Sequence, residues 1–276
     1  MKANARNLAA PIGYMLLGAL AVGAIYWGHL SWGVMTARST TINQAARASA
    51  MSQIALQYQT GDGGVQQDYT KAMEWYQMAA NMGDADALKS IGWLHANGMG
   101  VPQDYTEALN WYRKAADAGS AAAMNNVGWL YQNGWGVPQD YSQAMIWYRK
   151  GADLGSAEAM YNIGNLYLQG QGVLADVGQA AAWFGKGAAN GDVKSMTNYG
   201  ALLTLGQGLP RNDVDAVQWF AKAADGGSSG AMSWLGNCYA QGRGVAQNPQ
   251  LARAWYKKAA AAGDDFAKQW VAANPG

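Results

Sequence analysis

The sequence predicts an all-α fold: a right-handed superhelical solenoid of six 36-residue helix-turn-helix repeats, closed by a C-terminal capping helix. Three series of residues predict it, because the members of each recur every 36 positions. They are one glycine series, one tryptophan series and a second glycine series: Gly83, Gly119, Gly155, Gly191, Gly227 and Gly263; Trp75, Trp111, Trp147, Trp183, Trp219 and Trp255; Gly64, Gly100, Gly136, Gly172, Gly208 and Gly244. A fixed period of this length is the sequence signature of a solenoid. Because stacked repeats form extended surfaces, the pattern favours binding over catalysis.

The charge composition argues against a nucleic-acid partner. Only 13% of the 276 residues are charged, and the net charge is +1. Residues 1–47 carry four basic residues and no acidic one, whereas the rest of the chain carries 15 basic and 18 acidic residues. A nucleic-acid interface needs a clustered basic face, which this distribution does not supply. The single cysteine, Cys238, cannot form an intrachain disulfide, so the predicted fold depends on packing alone.

Residues 1–37 are interpreted as a transmembrane or signal-anchor segment. No charged residue lies between Arg6 and Arg38, and the apolar run 8–27 has about 20 residues, the length of a bilayer-spanning helix. Tyrosine and tryptophan gather at the far end of this run, where aromatic rings favour the membrane–water interface. The sequence therefore predicts membrane contact through residues 8–35.

Two alternatives stay open for this segment: a signal peptide that is cleaved, with Lys2 and Arg6 as its basic region, and a buried core helix. For an anchor, the basic residues before the run slightly outweigh Arg38 and Arg47 after it. This balance predicts a single-pass membrane protein whose repeats lie on the outer side, which for a bacterial inner membrane is the periplasm. The alternative is export after cleavage. Residues 38–47 are predicted as a short polar linker or as the start of the first repeat's helix.

Each repeat is predicted to be a hairpin of two helices, called helix A and helix B. In the second copy, apolar residues at helical spacing predict helix A over residues 85–96, and the glycines within 97–100 end it. Asp104, followed by Glu107, resembles a capping box and predicts the start of helix B, which stops at Gly119.

Six such hairpins are predicted to fill residues 48–263. The segment Asp265–Val271 follows the helix A pattern once more. Residues 264–276 are therefore predicted to cap the last hydrophobic face, as the terminal unit of a solenoid must.

The repeat resembles a known family, the Sel-one-like repeats, a branch of the tetratricopeptide-like solenoids. In the third copy the resemblance is carried by Val127–Tyr131, Gly134–Val137, Gln139–Tyr141, Ala144, Trp147-Tyr148, Gly151-Ala152 and Gly155. Departures from the family pattern are local: Leu56, His95, Asp176-Val177, Leu203 and Asp213-Val214. The resemblance implies an adaptor or scaffold role in multi-protein assemblies. Bacterial members are similar in being exported or envelope-associated, and some assist polysaccharide secretion or bind host proteins.

Several repeated residues are interpreted as structural. The Trp-Tyr pair of each helix B is predicted to lie in the core, since a residue repeated at one helical position holds the hairpin to its neighbour. The Gly-x-Gly loops lack the Lys-Ser/Thr of a phosphate loop and are predicted to be helix C-caps. The two histidines, His29 and His95, have no neighbours at metal-ligand spacing. We therefore expect no catalytic, cofactor or metal site, and we expect Cys238 to be a buried or half-buried thiol.

The variable positions of helix A are the predicted binding surface. By analogy with tetratricopeptide packing, positions two before, two after and six after the core aliphatic residue line one face. This predicted face is nearly uncharged and rich in amides and aromatic rings, and its residues are Lys89, Trp93, Asn97, Asn125, Trp129, Asn133, Tyr161, Asn165, Gln169, Asn237 and Gln241. Trp135, in a loop, is predicted either to contact a partner or to fold back onto the solenoid.

The predicted function is therefore a membrane-anchored, non-enzymatic scaffold that binds a protein partner or a subunit of an envelope complex. Amides donate and accept hydrogen bonds, and aromatic rings supply contact area, so such a face suits a peptide. Its affinity should depend little on salt, because few ion pairs are available to be screened. The alternative is a cell-wall or secreted glycan that stacks on Trp93, Trp129 and Tyr161.

Overall fold

The structure, a computed structural model, describes the backbone of residues 31–274 and the side chains of residues 43–274. Within that range the chain is all-helical, with thirteen α-helices, one short 3-10 helix (Asp62–Gly64) and no strand. The helices are α1 (Ser31–Thr60), α2 (Tyr69–Ala80), α3 (Ala85–Asn97), α4 (Tyr105–Asp117), α5 (Ala121–Asn133), α6 (Tyr141–Asp153), α7 (Ala157–Gln169), α8 (Val177–Ala189), α9 (Val193–Leu205), α10 (Asp213–Asp225), α11 (Ser229–Gln241), α12 (Pro249–Ala261) and α13 (Asp265–Ala273).

The predicted membrane segment lies mostly outside the described residues. Its last residues, 31–37, and the predicted linker, 38–47, belong to α1, so the linker residues are helical. The chain divides into two compact units, Met1–Asn43 and Gln44–Gly276. Among the described residues, no helix combines the length and the apolar character that crossing a bilayer requires.

The second unit is a stack of helical hairpins. Helices α3 and α4, α5 and α6, α7 and α8, α9 and α10, and α11 and α12 each form one hairpin, and each helix B also packs on the helix A that follows it. In the first hairpin, the end of α1 packs on α2 through a shared core that contains Ala55, Ala72 and Tyr76. This arrangement confirms the predicted all-α repeat architecture.

Short polar side chains cap the first turns of helices α2 to α13, which includes the cap that the sequence predicts for helix B of the second repeat. Asp104 Oδ1 accepts hydrogen bonds from the backbone N–H groups of Thr106 and Glu107, at 2.8 and 3.0 Å. Asp140 does the same for α6. Such a bond satisfies backbone donors that have no partner within the helix, so the caps hold each hairpin turn in place.

The two glycines of each Gly-x-Gly loop have different roles, which corrects the prediction that the motif is simply a C-cap. The first, Gly134 in the third repeat, is left-handed (φ 70°) and ends α5. The second, Gly136, lies against the first turn of the preceding helix B, where an added Cβ would be 2.5 Å from the carbonyl carbon of Tyr105. A side chain there would clash with the neighbouring repeat. The 36-residue period of this second glycine thus reflects contact between repeats.

The core is formed by the aromatic residue that follows each repeated tryptophan. These side chains, Tyr76, Tyr112, Tyr148, Phe184, Phe220 and Tyr256, are at most 4% exposed. The tryptophans themselves are only half-buried, which corrects the prediction that both members of the pair are core. From the second repeat on, a lysine covers the outer tryptophan face; Lys150 Nζ, for example, lies 4.1 Å from the centroid of Trp147.

The last helix covers the end of the stack. Trp270 of α13 stacks on Tyr256 of α12, with ring centroids 4.2 Å apart. Ala267 of α13 is fully buried in the same cluster. The predicted seventh helix A is therefore present and packs as a terminal unit does.

Candidate functional site

The A helices of the second, third and fourth repeats line one pocket. Its volume is about 350 Å³, which is the scale of a small ligand site or of a few peptide side chains. Helices α3, α5 and α7 supply most of the wall, α4 and the α5–α6 loop supply aromatic rings, and α9 supplies one lysine. We call it the aromatic pocket; its lining residues are Trp93, Ala96, Asn97, Tyr105, Tyr112, Asn125, Asn126, Trp129, Trp135, Glu158, Tyr161, Asn162 and Lys194.

Half of the predicted binding residues meet in this pocket. Those that line it are Trp93, Asn97, Asn125, Trp129, Trp135 and Tyr161. Asn237 lines a separate recess of about 320 Å³ beside Trp234 and Asp264. The others line neither cavity: Lys89, Asn133, Asn165, Gln169 and Gln241. Lys89 instead forms an ion pair with Asp86 of its own helix, at 2.8 Å.

Three aromatic rings form one end of the pocket. Trp135 folds back from its loop and meets Trp129 edge to face, with centroids 4.4 Å apart and an interplanar angle of 87°. Its other neighbour is Tyr105, at 4.7 Å. Both tryptophans still keep more than a third of their surface exposed. Trp135 thus folds back onto the solenoid and also lines the pocket, and its contact with a partner stays a prediction.

The amides on the predicted face of the A helices differ in the hydrogen-bonding atoms that they can offer a ligand. The amide N–H of Asn97 bonds to the carbonyl of Trp93 at 2.8 Å, and Asn133 bonds to Trp129 in the same way. These two amides therefore use a donor on their own helix. In contrast, Asn125 is only 6% exposed and accepts a hydrogen bond from Asn162 Nδ2 at 2.8 Å. This bond ties α5 to α7 across the pocket floor.

Two charged side chains line the other end of the pocket, which changes the expectation of a nearly uncharged face. Glu158 Oε2 accepts a hydrogen bond from Asn125 Nδ2 at 3.4 Å. Lys194 Nζ lies 5.6 Å from the centroid of the Tyr161 ring, within the range of a cation–π contact. The pocket is thus aromatic at one end and charged at the other.

The sequence contains a signal for these two residues that the three predicted positions omit. Glu158 and Lys194 each lie five positions before the core position of their helix A, Ile163 and Tyr199. Residues at i, i+3 and i+7 share one face of a helix, so the position five before belongs to the same stripe as the positions two before and two after. Asn126 and Asn162, one position before the core residue, complete the stripe.

One ionisable group of the pocket, the phenol of Tyr112, is strongly affected by burial. Burial raises the pKa of Tyr112 far above its usual value, although a hydrogen bond with Asn126 opposes the shift. The phenol is therefore neutral and can only donate or accept a hydrogen bond. Within the described residues, no cluster of three or more His, Cys, Asp or Glu side chains could hold a metal ion.

Stacked two-helix repeats and a side-chain-lined pocket on their A helices define a helical-repeat binding protein. The model of the Sel1 repeat family matches the chain six times, over residues 48–84, 85–120, 121–156, 157–192, 193–228 and 229–264. The chain therefore belongs to the Sel1 repeat family, whose members are generally protein-interaction scaffolds and typically non-catalytic.

Solved structures agree with this assignment. A Sel1 repeat protein from Oxalobacter formigenes is 34% identical, with a TM-score of 0.73 over 78% of this chain and 88% of that one. The protein c5321, a protective antigen of uropathogenic Escherichia coli, is 32% identical, with a TM-score of 0.70 over 87% of this chain. The match covers 50% of c5321, so our chain spans about half the length of that protein.

A third solved structure shares the fold at lower identity. It is the immunity protein Pa5087 from Pseudomonas aeruginosa, 18% identical, with a TM-score of 0.53 over 79% of this chain and 83% of that one. No curated protein matches the sequence.

Proposed function

We propose that the protein is a scaffold that holds an extended peptide segment of a partner protein in the aromatic pocket. The observation that carries the proposal is the pocket itself, because it gathers three partly exposed tryptophans from two neighbouring repeats. Trp93, Trp129 and Trp135 are each at least 36% exposed. Exposed tryptophans grouped in a recess supply the anchor contacts that dominate many protein interfaces.

The polar groups of the pocket suit a peptide backbone. Asn126 bonds to Tyr112 and Asn162 donates to Asn125, but each amide has further hydrogen-bonding atoms. These atoms and the side-chain oxygen of Asn97 can pair with backbone N–H and C=O groups that lose water on binding. A peptide that left such groups unpaired would bind weakly, because an unsatisfied buried group costs about 1–3 kcal/mol. The amides thus favour an extended segment whose backbone remains accessible.

The glycan alternative gains no support from the comparisons. The ring geometry also disfavours it. Trp129 and Trp135 meet edge to face, so the edge of one ring contacts the face of the other. A sugar ring stacks on an open aromatic face, and this pair does not present two parallel open faces.

We propose further that the scaffold acts at a bacterial envelope membrane, tethered by the apolar segment within residues 8–35. This proposal rests on the sequence pattern alone. It is tested by comparing the full chain with a version that lacks residues 1–37. After alkaline extraction of membranes, the full chain should stay in the pellet and the shortened chain should appear in the supernatant. Equal release of both would refute the tether.

The test of the pocket is a mild-detergent pull-down of the tagged full chain from its native membranes, read by mass spectrometry. The pocket variant is Trp93→Ala/Trp129→Ala. The matched control is Asn133→Ala/Asn165→Ala, which changes two A helices of the pocket, α5 and α7, at residues that do not line it. Proteins recovered with the wild type and the control, but lost with the pocket variant, would support the proposal. Equal recovery with both variants would refute it, provided that circular dichroism shows both to be folded.

A further inference from the structure

The charged end of the aromatic pocket contains two side chains at equivalent places in neighbouring repeats. Glu158 and Lys194 are 36 residues apart, and each is the second residue of its helix, α7 and α9. Neither takes part in a salt bridge with any described residue, whereas the equivalent Asp86 of α3 is paired with Lys89. Two opposite charges therefore line one pocket, each without an ionic partner in the described part of the chain.

Their surroundings leave both charges accessible to a ligand. Glu158 is exposed, and its described hydrogen bond is the long one from Asn125, at 3.4 Å. Lys194 is also exposed and lies over the Tyr161 ring, which holds the ammonium group at the pocket without neutralising it. A partner could form ion pairs with both side chains without breaking any salt bridge among the residues that the structure describes.

The order of the helices sets the order in which the aromatic and charged groups follow one another along the pocket. Trp129 lies on α5, Glu158 on α7 and Lys194 on α9, which are the A helices of three consecutive repeats. Each charged group reaches the preceding A helix, because Glu158 bonds to Asn125 of α5 and Lys194 lies over Tyr161 of α7. The two charged groups are thus about one helix step apart, and axes of packed helices are about 8–10 Å apart. An extended chain rises about 3.3 Å per residue, so about three peptide residues separate one helix from the next.

We infer that the partner segment carries an apolar anchor, a basic residue and an acidic residue, in this order along the pocket and about three residues apart. The anchor occupies the end formed by Trp93, Trp129 and Trp135. The basic side chain pairs with Glu158, and the acidic side chain pairs with Lys194. This inference rests on the proposed function, since it specifies the chemistry of the peptide that the aromatic pocket holds.

The test uses four synthetic heptapeptides with blocked ends and serine spacers. Two carry Trp, Arg and Glu at positions one, four and seven, in that order and in the reverse order. The other two exchange Arg and Glu in each of these. Binding to the full chain in mild detergent is measured by isothermal titration calorimetry, so that both peptide directions and both charge orders are sampled.

The protein variants are a charge swap in the pocket and a matched swap outside it. The first is Glu158→Arg/Lys194→Glu. The second is Asp86→Arg/Lys89→Glu, which exchanges two opposite charges on α3 that already pair with each other. The wild type and the second variant should bind one Trp–Arg–Glu peptide about tenfold more tightly than its exchanged form, because each of two exposed pairs changes from attraction to repulsion.

The pocket swap should invert this preference, and high salt should reduce it. An unchanged preference in the pocket swap, or no binding of any of the four peptides to the wild type, would overturn the inference. The pull-down distinguishes the two proposals. A native partner lost with Trp93→Ala/Trp129→Ala but retained by the pocket swap would refute the charge pattern alone, whereas a partner retained by both variants would refute the proposed function.

Discussion

At the scale of single residues, the spacing within a hairpin is set by a glycine opposite an aromatic ring. Gly128 of α5 faces Tyr148 of α6, and an added Cβ would lie 2.6 Å from the ring. Tyr148 is fully buried, so it has no free space into which to move. The same contact occurs at Gly92, Gly164, Gly200 and Gly236. Leu56, which replaces this glycine in the first repeat, is 50% exposed.

Gly128→Ala should therefore destabilise the protein, although alanine is the better helix former. Overpacking a filled core costs about 1–3 kcal/mol, more than the gain of about 1 kcal/mol in helix propensity. The control is Gly230→Ala in α11, where the nearest atom to the new Cβ is 3.9 Å away. The control should be neutral or slightly stabilised. Chemical denaturation followed by circular dichroism measures both, and an unchanged midpoint for Gly128→Ala would contradict the packing argument.

Ser195 has a buried hydroxyl group that lowers the stability of the fold. Its Oγ is buried and has no hydrogen-bond partner among the described residues. The equivalent positions of neighbouring repeats hold alanine, as at Ala159 and Ala231. Ser195→Ala should stabilise the fold by about 1 kcal/mol, because it removes an unsatisfied hydroxyl.

The control for Ser195 is Thr204→Val, which removes a buried hydroxyl that bonds to the carbonyl of Gly200 at 3.0 Å. This change should be neutral or destabilising by up to about 1 kcal/mol. Thermal denaturation of both variants measures the change in stability that each substitution causes. A lower melting temperature for Ser195→Ala would show that its hydroxyl has a partner in solution.

At the scale of helices, boundaries are local and can be read from the sequence. The Asp or Asn before each helix B and the Gly after each helix A are caps whose chemistry depends on their own turn. In α2, the Asp68 carboxylate accepts a hydrogen bond from the backbone N–H of Lys71 at 3.0 Å. The Lys71 ammonium group is 3.6 Å from the same carboxylate.

The pKa of Asp68 should lie below its usual value of 3.8, chiefly because of the backbone hydrogen bond from Lys71 and also because of the lysine charge. A lowered folded-state pKa means that the cap stabilises α2 above the unfolded-state pKa and that this contribution is lost as pH falls through the folded-state pKa. An NMR titration of the Asp68 carboxyl group measures the shift. A pKa at or above 3.8 would contradict the cap. Asp68→Asn keeps an acceptor and should remove this pH dependence.

The lining of the aromatic pocket depends only partly on the pattern within a single helix. Of the residues on the predicted helix A stripe, Trp93, Asn125, Trp129 and Tyr161 line one pocket. The stripe could not place Trp135, because the direction of a loop side chain depends on the neighbouring repeat, here Tyr105. It also included Asn133 and Gln169, which lie on the predicted stripe but beyond the end of the pocket.

At the scale of the whole molecule, the second unit is held together by contacts between adjacent hairpins. Each hairpin contacts the one before it and the one after it, so loss of one hairpin should destabilise mainly the adjacent hairpin. The last hairpin relies on α13, through the stack of Trp270 on Tyr256. Cys238 of α11 is 1% exposed and is the only cysteine of the chain, which makes it a probe of this hairpin.

Removal of residues 264–276 should therefore accelerate thiol labelling of Cys238. Burial raises the pKa of this thiol to about 11, so labelling in the intact protein should require local opening. Hydrogen exchange in α3 to α6 serves as the internal control and should not change, because those helices are several repeats away. Uniform acceleration of exchange across all repeats would indicate instead that the unit unfolds as one cooperative block.

The sequence by itself determined the repeat length, the all-α class, the caps and the family, because these depend on local periodicity and turn chemistry that recur six times. The tertiary structure decided which side chains meet between repeats. The buried Asn125–Asn162 bond joins residues 37 positions apart, and the charged pocket end combines Glu158 and Lys194, which are 36 positions apart. Their meeting depends on how one hairpin packs on the next, which no single repeat specifies.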